Sequence, residues 1–345
     1  MRKKNMFVAI LIIFLSSFMF VCKNNVESEI LTSIGNAYLP LRSSISDSIV
    51  RNGKILFLDL QSSNIIISSS ASASISESMY NQELNLIIDG TLFNDTILKK
   101  PISMCIDNKQ NIYIAQIENK VVLTLNFPHS KNYDIELLPS NETIPFNLMQ
   151  VDKENKIIEY NMLLKIPELR VNKLMVSTIV YWNDYLVVAF LTSPTLLFID
   201  TRSLDESSLK YFFSTQQDEV VDLGSFNESI WVLHKNEIIS YNINNYELIQ
   251  KEKVTINPVS KNADLLFRKK DNTIILFDPK SSNQKIPQIQ KVNLRSLSIE
   301  SKPVKSIYYV FSLQENNISE IFAFKETSQK TQKELHLYQE IFQIK

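Results

Sequence analysis

An all-β fold, a β-propeller of six or seven four-stranded blades, is predicted by three features of this 345-residue chain. Short apolar strands alternate with polar turns almost throughout the chain after residue 45. The pattern repeats: Leu186, Ile230, Ile274 and Ile318, each in the second strand of a copy, stand 44 residues apart. A period of about 40 to 50 residues holding about four strands is the length of a propeller blade. Runs such as Leu186-Val187-Val188-Ala189-Phe190 are continuously apolar, as strands packed between two neighbouring sheets must be.

Taken in order, residues 1–22 read as a signal peptide of the lipoprotein type. Arg2, Lys3 and Lys4 precede an apolar run from Met6 to Val21, and the chain turns polar again at Lys23, Asn24 and Asn25. This segment resembles the bacterial signals in which a cysteine after a short apolar box is acylated and becomes the new N-terminus. The box here is Met19-Phe20-Val21-Cys22, and the resemblance implies lipidation of Cys22. An uncleaved N-terminal anchor is the alternative reading of the same run. Residues 23–45 are expected to be a tether and 46–345 the propeller domain.

The clearest blade copy is Val220 to Ser225, a turn at Phe226-Asn227-Glu228, Ser229 to His234, a turn at Lys235-Asn236-Glu237, Ile238 to Asn242, and a fourth strand from Tyr246 to Val254. The copy before it runs through Ser177 to Tyr181, Tyr185 to Phe190 and Leu196 to Asp200. The copy after it uses Leu265 to Phe267 and Thr273 to Phe277, and a last one uses Ile307 to Phe311 and Ile318 to Phe324. Looser copies begin at Gly53, Pro101 and Glu154. The serine-rich stretch Ser68–Ser78 reads as a loop or a polar outer strand, and Glu334–Ile344 as a strand in preference to a helix. Only 4 glycines occur, so asparagine must supply many of the turn positions that need positive φ.

The segment Ile106-Asp107-Asn108-Lys109-Gln110-Asn111-Ile112-Tyr113-Ile114-Ala115-Gln116-Ile117-Glu118-Asn119-Lys120-Val121 resembles one repeat of the NHL/SMP-30-type six-bladed propellers, whose pattern is D-x-x-G-N-[IV]-Y-[IV]-A-D-x-x-N. Gln110 stands where that family has glycine and Gln116 where it has aspartate. The resemblance implies a propeller and leaves its activity open. Asp107 and Asn111 are expected to organise the turn between two strands. Hydrolytic members of that family hold a divalent metal with carboxylates and asparagines lining the central pore. No position here matches that role by motif, and Asp222 is read as an inner-strand aspartate that satisfies backbone amides.

Composition and motifs exclude several classes. Removal of Arg2, Lys3 and Lys4 leaves 33 basic against 37 acidic side chains, a net charge of −4, which does not suit a nucleic-acid binder. The cluster Arg268-Lys269-Lys270 is expected to be a solvated turn. With two cysteines in the chain and Cys22 acylated, Cys105 has no disulfide partner and is expected to be a buried structural thiol. The three histidines, His129, His234 and His336, lie outside ligand spacing of one another and of cysteine. No nucleophile elbow and no glycine-rich phosphate loop occurs. Asp205 and Glu206 are read as a solvated loop.

These readings predict no catalytic residue, no metal ligand and no cofactor. They point to a lipid-anchored module of the bacterial cell envelope, membrane-bound through its N-terminus, that binds a protein or glycan by loops at one rim of the ring. The alternative is a metal-dependent propeller hydrolase or lactonase with its site in the central pore.

Overall fold

The structure is a computed structural model that describes residues 31–39, 45–70, 86–93, 98–99, 101–116, 122–124, 132–134, 144–164, 176–190, 193–204, 210–215, 219–244, 247–268, 271–279, 287–303, 307–315, 318–326 and 333–340. The compact unit Ser33–Gln339 carries the sheets. The second unit, Met1–Thr32 with Glu340–Lys345, lies outside the described residues save for Leu31, Thr32 and Glu340. Cys22 and the signal segment therefore fall outside them, as do His129, Asp205 and Glu206.

Strand β1 is Leu31–Leu39, and β2 (Ile45–Arg51), β3 (Lys54–Asp59), β4 (Asn64–Ser70) and β5 (Leu86–Thr91) form the first blade. The second contains β6 (Pro101–Ile106), β7 (Ile112–Gln116), β10 (Ile144–Val151) and β11 (Ile157–Leu164), with a separate ribbon, β8 (Val122–Thr124) and β9 (Asn132–Asp134), between β7 and β10. The third is β12 (Val176–Trp182), β13 (Tyr185–Phe190), β14 (Thr195–Asp200) and β15 (Lys210–Ser214). The fourth is β16 (Asp222–Phe226), β17 (Ser229–Leu233), β18 (Glu237–Asn244) and β19 (Glu247–Thr255). The fifth is β20 (Asp264–Arg268), β21 (Thr273–Asp278), β22 (Gln288–Asn293) and β23 (Ser298–Pro303). Finally come β24 (Ile307–Glu315), β25 (Ile318–Glu326) and β26 (Lys333–Glu340), so the tail is a strand over its described part.

The sheet order departs from a simple series of separate blades. Four sheets have four strands each, and an eight-stranded sheet runs β2-β3-β4-β5-β1-β26-β25-β24. That sheet is two four-strand groups joined where β1 pairs in parallel with β5 at Ala37↔Leu86. The described strands thus make five sheets of blade size or larger and six four-strand groups. The first strands of the groups neighbour one another around a ring, β2 beside β6, then β12, β16, β20 and β24, with β24 again beside β2.

Two sequence readings are corrected. Residues 31–39, expected to be tether, form β1, the strand that sits beside β26 and completes the last four-strand group. An unpaired β26 would leave a row of backbone donors and acceptors bare, and β1 covers it. Arg268, expected to be solvated, ends β20 at 7% exposure because Asp271 neutralises it through Nε at 3.0 Å and Nη2 at 2.6 Å. Of the serine-rich stretch, Ser68 to Ser70 belong to β4 and 71–78 lie outside the described residues.

The predicted second strands fall where the period put them, in β13, β17, β21 and β25. Their neighbours on both sides explain the unbroken apolar runs. Leu186, Val188 and Phe190 of β13 pack with Tyr113 and Phe146 of the second blade, whereas Val187 and Ala189 pack with Ile230 and Val232 of the fourth. In β17 the same split sends Ile230 and Val232 one way and Trp231 and Leu233 the other, onto Leu265 and Ile274. Alternate side chains of one strand therefore fill two different cores. At about 25 cal/mol per Å² of apolar area buried, each blade-to-blade core is the main favourable contribution to the fold.

Turns follow the glycine shortage. Asn52-Gly53, Asn183-Asp184 and Asn227-Glu228 are two-residue hairpin turns with both φ values positive, from 45° to 71°, as type I′ geometry requires. Asn155 and Asn272 also take positive φ.

Candidate functional site

The first strands of the blades surround a central channel of ≈ 260 Å³. Its wall is built from β2, β6, β12, β16 and β20, with Ser48, Val50, Ile106, Val180 and Leu266 among the partly exposed lining residues. The polar groups sit at one level. Asp47, Thr178, Asp222 and Asp264 face Leu58, Ala189, Leu233 and Phe277 across their hairpins, and each stands four residues before the end of its strand. Ser103, opposite Ala115, takes the matching place in β6. A bulge precedes Asp47, Ser103 and Thr178, and such an extra residue re-aims the side chains around it.

These side chains bond from blade to blade. The Asp47 carboxylate accepts hydrogen bonds from the backbone N–H of Met104 at 3.0 Å and the hydroxyl of Ser103 at 2.8 Å, as well as from its neighbour Ser48. Ser103 Oγ in turn accepts from the N–H of Ile179 at 3.2 Å and lies 3.5 Å from Thr178 Oγ1. Asp222 accepts from the N–H of Leu265 at 2.8 Å. In each case a polar group at the start of one inner strand satisfies an amide of the next blade's inner strand, which is the role expected of Asp222. Asp47, Ser103 and Thr178 were not singled out in the sequence. Their signal was present as a polar residue three or four positions ahead of the turn that ends the first strand of a hairpin.

Burial raises the Asp47 carboxyl to a pKa of about 6, against the pull of its three donors, and the nearby Asp222 charge adds to the rise. Cys105, free and buried between the second and third blades, has its thiol pushed well above the ordinary range by the same cause. It is the structural cysteine that the alternating segment around it predicted. Hydrogen bonds from Arg202 hold the Asp200 carboxyl low; at Asp271 burial pushes upward, and the hydrogen bonds of Arg268 and Thr273 with the charges of Arg268 and Lys291 together outweigh it.

A second tier of inter-blade bonds lies at the hairpin ends of the inner strands. Arg51 bonds Asn155 Oδ1 at 3.0 Å and the Asp152 carbonyl of the second blade. Trp182 Nε1 donates to the Glu228 carbonyl at 2.9 Å, and Asn227 Nδ2 to Asn272 Oδ1 at 3.4 Å.

The repeat-like segment is a turn built on Asp107. Its carboxylate accepts from the N–H groups of Lys109 and Asn111, both at 2.8 Å, from Asn111 Nδ2 at 2.7 Å and from the Tyr113 hydroxyl at 3.0 Å. Gln110, at the family's glycine position, has φ +69°. Asp152 builds the same turn one hairpin later, accepting from Glu154 and Lys156 with Asn155 at φ +65°. Asp107 thus organises the turn as expected, and Asn111 serves as one of its donors.

Among the described residues no three His, Cys, Asp or Glu side chains converge as metal ligands. His234 is buried, with Nδ1 3.2 Å from the Glu219 carbonyl. No helix among the described residues is long and apolar enough to cross a membrane.

No protein family and no curated protein matches the sequence. The fold has many counterparts among solved structures. A Bacteroides fragilis protein assigned as exported aligns over 92% of this chain and 98% of its own, with a TM-score of 0.54 at 10% identity. The Malassezia sympodialis allergen Mala s 1 aligns over 88% and 95%, with a TM-score of 0.50 at 8% identity. A Kuenenia stuttgartiensis hydrazine synthase chain aligns over 83% and 75%, with a TM-score of 0.50 at 8% identity. At these identities the likeness shows the fold, and the chain is a β-propeller with four-stranded blades.

Proposed function

We propose that this protein is a lipid-anchored, six-bladed propeller of the bacterial cell envelope that binds a protein or glycan through the loops at one rim of its ring. The observation that carries the reading is the linkage around the channel. Asp47, Ser103 and Asp222 tie successive inner strands together, so the rim loops stand on a rigid frame suited to holding a partner in fixed geometry. The signal-like start and Cys22 supply the address.

Protease treatment of intact cells beside a periplasmic control tests the placement. Digestion assigns the rim loops an external ligand, and protection a periplasmic one. In the same cells Cys22→Ala is expected to abolish fatty-acid labelling and detergent-phase partitioning; partitioning that persists would favour the uncleaved anchor. The alternative reading, a metal-dependent hydrolase, would need the channel carboxylates Asp47, Asp222 and Asp264 to converge on a metal, and among the described residues no three such groups do so. A calcium-dependent rise in Tm would support it, and a melt indifferent to chelator would count against it.

A further inference from the structure

We infer that the central channel is a binding site for a small alkylammonium group, its charge held at the level of Asp47, Asp222 and Asp264 and its carbon stem against the apolar stretch beyond them. The inference is independent of the lipid anchor and of the rim loops. Charge around the wall is of one sign. Asp47 and Asp264 line the channel partly exposed and Asp222 is 7% exposed. No lysine, arginine or histidine occurs among the described lining residues, and β24, which completes the ring of inner strands, has none in its sequence. The basic residues of the inner strands, Arg51 and Arg268, stand at the hairpin ends and are engaged by Asn155 and Asp271. Burial and, after it, the negative charge of Asp222 raise the Asp47 carboxyl, and a bound cation relieves that repulsion.

A second observation is independent of charge. The hydroxyl of Ser177, a channel-lining residue only 1% exposed, has no hydrogen-bond partner, and neither has the Ser46 hydroxyl of β2. Each is the extra residue of a bulge in its inner strand, immediately before Thr178 and Asp47. Buried hydroxyls are ordinarily satisfied, so these two supply acceptors at the carboxylate level that the protein itself does not use. The acidic groups do not converge as ligands of one metal ion among the described residues, whereas acceptors spread around a wall suit the three N–H donors of an ammonium. Two or three residues further along the same strands, roughly 7–10 Å at about 3.3 Å per residue, the partly exposed lining is Val50, Ile106, Val180 and Leu266. That stretch receives methylene groups, and a channel of ≈ 260 Å³ suits a single slender chain.

Calorimetric titration of the natively processed protein at neutral pH with pentylamine, set beside the uncharged pentanol, tests this. Pentylamine is expected to bind once per chain and pentanol not at all. Asp222→Asn and Asp264→Asn keep a carbonyl oxygen and remove the charge, and each is expected to weaken pentylamine binding about tenfold or more at an unchanged Tm. Titration with Nα-acetyl-lysine amide separates two sources of the same group: tighter binding than pentylamine assigns the site to a lysine side chain of a partner, and weaker binding to a free amine. No binding of either amine, equal binding of pentanol, or an affinity unchanged in the folded Asn variants would overturn the inference. If a variant fails to fold, the contrast between pentylamine and pentanol in the wild-type protein decides it.

Discussion

Ser103 is the residue on which the channel wall turns, because its single hydroxyl donates to Asp47 and accepts from the amide of Ile179. Ser103→Ala leaves that buried amide without its acceptor, and a loss of about 1–3 kcal/mol is expected in urea unfolding. Asp47 makes a sharper prediction. Its folded pKa of about 6 lies above the 3.8 of an ordinary aspartate, so the folded state holds the proton more tightly than the unfolded chain does. Its contribution to stability is complete below about pH 4 and is lost as pH rises through about 6. Wild-type protein is expected to weaken over that window, and Asp47→Asn to flatten the profile; an identical slope in both would refute the assignment. Gly224 is small for a steric reason, since a Cβ there would overlap the Phe267 ring, itself stacked on Phe226 at 5.1 Å. Gly224→Ala should cost about 1–3 kcal/mol, with Phe267→Leu in the same chain recovering part of it.

At the scale of single elements, the hairpins show how far an asparagine-rich, glycine-poor sequence can be read. The turns at Asn183-Asp184 and Asn227-Glu228 fall between strands where polar residues interrupt apolar runs, and the structure sets both residues of each pair at positive φ. Gln110 and Glu228 hold that conformation without the freedom of glycine, at a cost of about 1–2 kcal/mol each. Gln110→Gly and Glu228→Gly are each expected to raise stability by about 0.5–1 kcal/mol, the relief of strain exceeding the added freedom of the unfolded chain. A fall in Tm at both sites would contradict this account. Strand lengths were less legible than strand positions. Arg268 reads as turn by its charge, and only the Asp271 carboxylate within reach lets it continue β20 into the interior.

At the scale of the whole molecule, ring closure depends on a segment far in sequence from the blade it completes. A chain beginning at residue 31 should melt cooperatively near the full-length Tm. One beginning at residue 41 lacks β1, exposes the edges of β26 and β5, and is expected to aggregate or lose its cooperative transition. Equal melting of the two truncations, measured by circular dichroism with size exclusion, would show that β1 is dispensable.

The sequence by itself determined the all-β class, the blade period, the strands that lie between two cores and the burial of Cys105. Each of these follows from local patterning of apolar and polar residues. Only the tertiary structure decided that residues 31–39 close the ring, that the first and last blades share one sheet, and that Asp47, Ser103, Thr178, Asp222 and Asp264 gather at one level of a channel. Those facts depend on groups distant in the chain. A strand's partner across the ring and a carboxylate's amide on the next blade leave no periodic trace in the segment that holds them, because the pairing is chosen by the geometry of closure.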